Sequence, residues 1–262
     1  MKISILQMKL ELGNISANLD TLTRMLPQAM LRRPDVILLP ELWNIGFYPK
    51  PITDYADPDG TSIRATLSEL AAKYQVNLVG GSIANRIGDH VFNTSYVLDR
   101  TGQLLSTYHK THLFSPSGEN KDFTAGDALH TYFIDGVKCA TVICYDLRFP
   151  ELIRQLALED IAILFVPAAW PLERLMHWQT LTRARAIENQ IFVAAANGTG
   201  LLSHSFHLGG HSRIIDPWGE LLAESTEDET ILHANMKIAI RSQIRSFMNV
   251  FADRRLDLYK QK

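Results

Sequence analysis

Thr141-Val142-Ile143-Cys144-Tyr145-Asp146-Leu147-Arg148-Phe149-Pro150-Glu151 is the stretch on which the reading of this chain turns. An apolar run ends in a cysteine, a short polar turn follows, and Pro150 stands where a helix can begin, since proline suits the first helical position. Strand, turn and helix in succession form one unit of a layered α/β fold. The unit also has chemical content. It sets a thiol at a strand end beside backbone N–H groups that a sheet does not use, and such groups can bind an oxyanion. The helix start adds a field that favours a thiolate. A lone cysteine in an apolar strand is more often a small core residue, because free cysteine is among the most buried residue types. The polar and charged neighbours of Cys144 weigh against that reading here. Cys139, in the same extended run, takes the core reading in full.

These are the only two cysteines of the chain. Five residues apart in one extended strand, their Cα atoms would lie roughly 16 Å from each other, and a disulfide needs less than about 7 Å. Two free thiols are therefore expected, as in a reducing cytosol. Five is odd, so in one strand they would point to opposite faces.

On either side of this unit, strand and helix patterns alternate. Residues 2–8 read as a strand. Ser16 can cap a helix running to about Met30, with Leu19, Leu22 and Leu26 on one face. Pro34-Asp35 breaks into a strand at 36–40. Ile63, Leu67, Leu70 and Ala71 mark a helix from Thr61 to Tyr74. Strands are expected at about 76–82, 92–98 and 103–109, then a loop at about 111–127 rich in Pro, Ser, Gly and Asp. Strands 130–134 and 138–143 flank Asp135-Gly136, a strong hairpin signal. Strand 162–166, helix 173–189 and strand 191–196 continue the alternation. Residues 211–215, 220–224 and 230–236 are β-like, with Pro217-Trp218-Gly219 as a turn. Residues 237–262 read as a helix and tail that either pack on a partner subunit or stay exposed. With no composition shift, linker or repeat, residues 1–262 read as one layered α/β domain.

Composition narrows the function classes. The chain has 262 residues, 46% of them hydrophobic and 21% charged, with a net charge of −2. That balance holds no basic excess for nucleic acid and no acidic block. The apolar runs are far shorter than the roughly 20 residues of a membrane span. The N-terminus lacks the apolar region and small-residue cleavage site of a secretory signal, so a cytoplasmic protein is expected.

A thiol needs a base or a nearby cation to act as a nucleophile at neutral pH. Two other strand ends offer these groups. Leu38-Leu39-Pro40-Glu41 ends an apolar run in a carboxylate, and Tyr108-His109-Lys110-Thr111-His112 sets an ammonium between two histidines. Taken singly, each reads as a solvated strand end. In layered α/β folds, however, strand C-termini gather at one edge and build sites. His204, His207 and His211 have spacings compatible with a metal, but Ser203, Ser205, Gly209 and Gly210 around them read as a loop, and no further ligand set accompanies them. Gly80-Gly81 and Gly198-Thr199-Gly200 lack a nucleotide-loop pattern. A papain-like pairing of a cysteine with His109 or His112 fits the residue types, but the surroundings of Cys144 do not resemble those families.

Pro40-Glu41, Lys110-Thr111-His112-Leu113 and Cys144-Tyr145-Asp146-Leu147-Arg148-Phe149-Pro150-Glu151, in that order, resemble the nitrilase (carbon–nitrogen hydrolase) superfamily. Asn93-Thr94, Thr124-Ala125-Gly126-Asp127, the segment Arg183 to Gln190 and Gly210-His211-Ser212 extend the resemblance over nearly the whole chain. It implies a four-layer α–β–β–α sandwich, extended across the interface of a homodimer or higher homo-oligomer. It also implies a Glu41–Lys110–Cys144 triad, with Glu119 as a second glutamate that holds the amide nitrogen or the water. The oxyanion would be met by the Tyr145 backbone N–H and Lys110. No cofactor or metal is implied.

Within the superfamily, Glu41-Leu42-Trp43, Trp170-Pro171-Leu172-Glu173-Arg174-Leu175 and His177-Trp178 resemble omega-amidase-type enzymes. These enzymes hydrolyse the terminal amide of short 2-oxo dicarboxylic acids. Arg174 is then the expected anchor for a substrate carboxylate, unless it merely pairs with Glu173. Arg148 is its rival, unless it pairs with Glu151 or Asp146. Trp43, Phe47 and Trp170 are the expected apolar walls. Hydrolysis of a carbamoyl amine or of deaminated glutathione on the same fold, or a catalytically silent binding role, are the alternatives left open.

Overall fold

Side-chain alternation along the strands sorts the molecule into layers. In the computed structural model, which describes residues 1–203 and 206–259, Ile3, Ile5, Val36 and Leu38 pack with Cys139, Ile163, Phe165, Phe192 and Ala194 in one buried cluster. The alternate positions Leu6, Ile37 and Leu39 face the other way, onto Leu22, Met25 and Leu26 of the helix Ile15–Met30 and onto Ile63, Leu67 and Ala71 of the helix Thr61–Tyr74. In the second sheet, Ala140, Val142, Leu164, Val166 and Val193 turn outward. They meet Leu152, Ile153 and Leu156 of the helix Pro150–Leu158 and Trp178 and Ala186 of the helix Leu175–Asn189. Successive residues of a strand point to opposite faces, so two sheets meet face to face and helices cover each outer face. This is the α–β–β–α sandwich.

Strand directions decide where the site lies. Val36–Leu38 is parallel to Asn77–Val79, which is antiparallel to His90–Leu98, itself antiparallel to Leu104–His109. Val36–Leu38 and Leu104–His109 therefore run the same way and end at one edge. In the second sheet Val137–Thr141, Ile163–Ala168 and Phe192–Asn197 are parallel. The Glu41 backbone N–H donates to the Ala168 carbonyl at 3.2 Å, joining the strand ends of the two sheets.

The long helices and the Asp135-Gly136 hairpin form where the sequence predicts them, and Asp135 and Gly136 both take positive φ. Several expectations are corrected. Asn14, not Ser16, caps the first helix, its side chain accepting from the Ala17 N–H. The expected strands 36–40 and 76–82 shrink to Val36–Leu38 and Asn77–Val79, and the strand Ile83–Ile87 was not expected. The strand before the nucleophile turn ends at Thr141, so Cys144 lies beyond it in the 3-10 turn Cys144–Arg148. The parity argument for the two cysteines therefore does not apply, although both are free thiols. The loop 111–127 contains the turn Ser115–Ser117 and the short helix Glu119–Asp122. The expected histidine loop is instead a hairpin of Thr199–Ser203 with Phe206–Gly209, so His207 sits on a strand; His204 lies outside the described residues.

In the C-terminal region, the helix Ile240–Phe247 is tied to its own chain. Arg241 and Arg245 pair with Asp160, and the Gln190 side chain donates to the Met248 carbonyl. No helix among the described residues is long and apolar enough to cross a membrane.

Candidate active site

Glu41 follows its strand through Leu39-Pro40 and is wholly buried. The close turn behind it explains Gly81. That residue has φ +64°, and a Cβ there would lie 2.0 Å from the Pro40 carbonyl oxygen. Lys110 follows Leu104–His109 directly, and its N–H donates to the Asn93 carbonyl of the neighbouring strand. Gly126 lets the segment after Glu119 lie against this strand end. A Cβ there would come within 2.2 Å of the His109 carbonyl, and its N–H donates to the Lys110 carbonyl.

These placements bring the three charged groups together. The Lys110 ammonium donates to Glu41 Oε1 at 2.8 Å and to both Glu119 oxygens at 2.9 Å. Burial would push this ammonium toward neutrality, but the two carboxylates outweigh it and hold its pKa well above the ordinary lysine value. Lys110 is therefore held as a cation.

Cys144 occupies the first position of its 3-10 turn with φ +46°. A non-glycine residue there stores strain, about 1–3 kcal/mol, of the kind that gathers at functional sites. The first turn bond runs from the Asp146 N–H to the Ile143 carbonyl. The N–H groups of Cys144 and Tyr145 therefore precede the helical ladder, where such groups have no intrahelical acceptor.

The Cys144 pKa is raised well above the ordinary value, first by burial and then by the Glu41 charge, against the opposing pull of Lys110 and of the Ala169 N–H. At rest the group is a thiol, held neutral by burial and by the nearby Glu41 carboxylate. The expected thiolate-favouring field of the following helix does not prevail, because burial and a facing carboxylate act more strongly on the sulfur.

Asp146 fixes this turn. Its buried carboxylate accepts from Tyr108 Oη (2.7 Å), Thr111 Oγ1 (2.9 Å), the His112 backbone and ring (both 2.9 Å) and the Ile143 N–H (3.0 Å). Four of these donors come from residues flanking Lys110, so one carboxylate couples the lysine strand end to the cysteine turn. Asp146 is thus committed to the turn, and no ion pair joins it or Glu151 to Arg148 among the described residues.

A cleft opens over the thiol. Phe47, Lys110, Phe114, Cys144, Tyr145, Arg148, Ala169, Trp170, Pro171, Arg174 and Phe206 line it. The Arg148 guanidinium lies over the Trp170 ring at 4.7 Å and within 3.3 Å of His177 Nδ1. The Arg174 guanidinium lies over Phe114 at 5.3 Å, while its backbone carbonyl accepts from Trp170 Nε1. Among the described residues neither guanidinium has a carboxylate within ion-pair distance, so the expected alternative pairing of Arg174 with Glu173 is absent too.

A carbon–nitrogen hydrolase family model matches residues 2–245. The chain belongs to the carbon–nitrogen hydrolase family. It is a hydrolase of carbon–nitrogen bonds other than peptide bonds. It is 41% identical to the 2-oxoglutaramate amidase of Bacillus subtilis (strain 168), over 98% of each chain. It is 31% identical to the omega-amidase NIT2 of Homo sapiens, over 96% of this chain and 94% of that one. The crystal structure of Saccharomyces cerevisiae Nit3, a member of branch 10 of the nitrilase superfamily, superposes with a TM-score of 0.90 at 29% identity, covering 97% of this chain and 96% of the other.

Two expected site residues of this hydrolase lie elsewhere. Trp43 is fully buried in the cluster beneath the first two helices and donates from Nε1 to the Gly80 carbonyl at 2.9 Å, so it walls no cleft. Glu119 is buried away from the cleft wall. Its Oε1 accepts from Lys110 and Asn93, and its Oε2 from Lys110 and the Phe114 N–H at 2.6 Å. With both oxygens engaged by protein donors, it holds Lys110 in place. Sequence reasoning missed Phe114 and Phe206 as wall residues. Phe206 stacks on Phe47 at 5.2 Å from a hairpin far along the chain, and no local pattern announces that contact.

Proposed function

We propose that this hydrolase cleaves the terminal carboxamide of a short dicarboxylic acid monoamide, favoured in its 2-oxo form such as 2-oxoglutaramate. The observation that carries the reading is the company of the Cys144 thiol: two guanidiniums, Arg148 and Arg174, share its cleft with no carboxylate partner among the described residues. A substrate carboxylate is the partner they suit, since a guanidinium can bind one through two parallel hydrogen bonds. The names carried by the relatives from Bacillus subtilis and Homo sapiens point the same way.

In this reading Glu41 accepts the Cys144 proton as the sulfur attacks the amide carbon. The oxyanion is met by the Tyr145 N–H and by Lys110, whose two contacts to Glu119 can share one N–H and leave another for the cleft. One such donor is typically worth about 3–4 kcal/mol. Glu41 passes its proton to the leaving nitrogen, ammonia departs and a thioester remains. Glu41 then takes a proton from water as the water attacks the thioester, and returns it to the departing sulfur.

The test is kinetic, with ammonia release measured for 2-oxoglutaramate and for a neutral amide of equal length. Arg174→Met should raise KM for the acid about 10- to 100-fold, the scale of one charged hydrogen bond. It should leave the neutral amide nearly unchanged. Equal losses on both substrates would move the carboxylate site elsewhere. A wild type that prefers neutral amides would defeat the omega-amide reading and leave only general amide hydrolysis.

We also read residues 1–262 as one catalytic domain acting in the cytoplasm as a homodimer or a multiple of it. Exposed Ile187, Trp218 and Phe247 support an interface around the Pro217-Trp218-Gly219 turn. Light scattering over a range of concentrations tests this, and a stable, active monomer at micromolar concentration would count against it.

A further inference from the structure

We propose that Asn93 is a positioning residue that assigns the two oxygens of Glu41 to different tasks. The inference rests on the triad reading above. Asn93 lies within the strand His90–Leu98 and is fully buried. Its Nδ2 donates to Glu41 Oε1 at 2.8 Å and to Glu119 Oε1 at 3.2 Å, while its carbonyl accepts the Lys110 N–H. One residue therefore touches both carboxylates and the backbone of the lysine that lies between them.

Counting lone pairs gives the consequence. Glu41 Oε1 accepts from both Lys110 Nζ and Asn93 Nδ2, so its in-plane acceptor sites are filled. Among the described residues, Oε2 accepts only the Ala169 N–H, at 2.9 Å. One site on Oε2 remains, and it is the site for the Cys144 proton. Asn93 thus keeps the carboxylate from rotating about its terminal torsion, which is soft for glutamate. With the lysine alone on Oε1, the two oxygens could exchange. The orientation of the amide is fixed by its partners, because a flipped Oδ1 would face two carboxylates. Oδ1 has no hydrogen-bond partner among the described residues, which leaves the amide's two N–H groups as its only links to the acids.

The test replaces Asn93 with leucine, close in volume and without donors. Three quantities are read: the pH profile of kcat/KM for ammonia release, the pH dependence of Cys144 alkylation by iodoacetamide, and Tm. We expect kcat to fall by about tenfold or more, with KM within about twofold. Alkylation should slow in parallel, and the acid limb of both profiles should move to higher pH. The sign follows from the lost donor: a carboxylate whose charged form loses a hydrogen bond takes up a proton more readily. A kcat within about twofold of wild type overturns the proposal. So does a loss of kcat with unmoved pH limbs and unchanged alkylation, since a merely structural role lowers the active fraction and leaves the profile alone. If Asn93→Leu does not fold, Asn93→Ser is read by the same three measures. Failure of the triad itself is separately visible, because Cys144→Ala would then still turn over.

Discussion

The two ends of the cleft are built on opposite principles. At its floor, Glu41, Lys110, Glu119 and Asn93 are all at most 2% exposed, and their charged groups meet one another at 2.8–3.2 Å. At its mouth, Arg148 and Arg174 are partly exposed and rest on aromatic faces with no carboxylate partner among the described residues. Buried charges must be paired or they destabilise the fold by several kcal/mol. Partly solvated guanidiniums carry no such demand and can wait for a ligand. In the reading proposed above, the floor holds groups whose geometry is fixed before substrate arrives, as transition-state stabilisation requires, and the mouth keeps its charge available for recognition.

The contrast breaks most sharply if the floor can be altered without loss. Cys144→Ala should abolish turnover while the protein stays folded, since only a sulfur is removed. Cys139→Ala should keep most activity, because that thiol lies between the sheets and burial pushes its pKa far up. Iodoacetamide should accordingly modify Cys144 and spare Cys139, as peptide mass mapping can show. Lys110→Met should lower kcat by orders of magnitude and also destabilise by about 3–5 kcal/mol, because Glu41 and Glu119 are left facing each other without their cation. Arg148→Met at the mouth should cost about 1 kcal/mol or less in stability. Glu41→Gln combined with Lys110→Met should lose far less than the product of the single losses, since groups acting as a unit are not additive. Near-normal activity in either single variant would end the triad reading.

What the sequence disclosed follows the same division. The layers were legible because alternation is a local pattern: Ile3 and Ile5 against Leu6, or Ile163 and Phe165 against Leu164 and Val166, sort themselves onto two faces. Of the floor, Glu41 and Lys110 were legible as polar residues at strand ends, whereas Glu119 and Asn93 came only through the family resemblance. Their mutual bonds were not legible, because Asn93 to Glu41 spans 52 positions and Asp146 to Tyr108 spans 38. The positive φ at Cys144 was hidden too, since nothing in Ile143-Cys144-Tyr145 requires the strand to stop at Thr141. The mouth was the least legible part. Phe114 and Phe206 belong to it by tertiary position alone, and Trp43 was misplaced because an aromatic beside a strand-end acid fits a cleft wall and a core equally well.

The smallest expected effect separates those two kinds of tryptophan. Trp43 gives its indole N–H to the Gly80 carbonyl inside the core, whereas Trp170 lines the cleft beneath Arg148 and gives its N–H to the Arg174 carbonyl. Trp43→Phe should therefore appear in stability alone, with a loss of about 1–3 kcal/mol from an unmet buried carbonyl and a smaller ring, and KM should not move. Trp170→Phe should act on recognition, because phenylalanine offers a weaker face to the guanidinium and no donor to the loop that carries Arg174. A cation–π contact at a partly exposed site is worth about 0.5–1 kcal/mol, which corresponds to a two- to fivefold rise in KM for an acidic amide. Thermal melts and KM values for an acidic and a neutral amide read both variants. If Trp43→Phe raises KM for the acid as much as Trp170→Phe does, the core and the cleft wall are coupled, and the mouth does not act independently of the core beneath it.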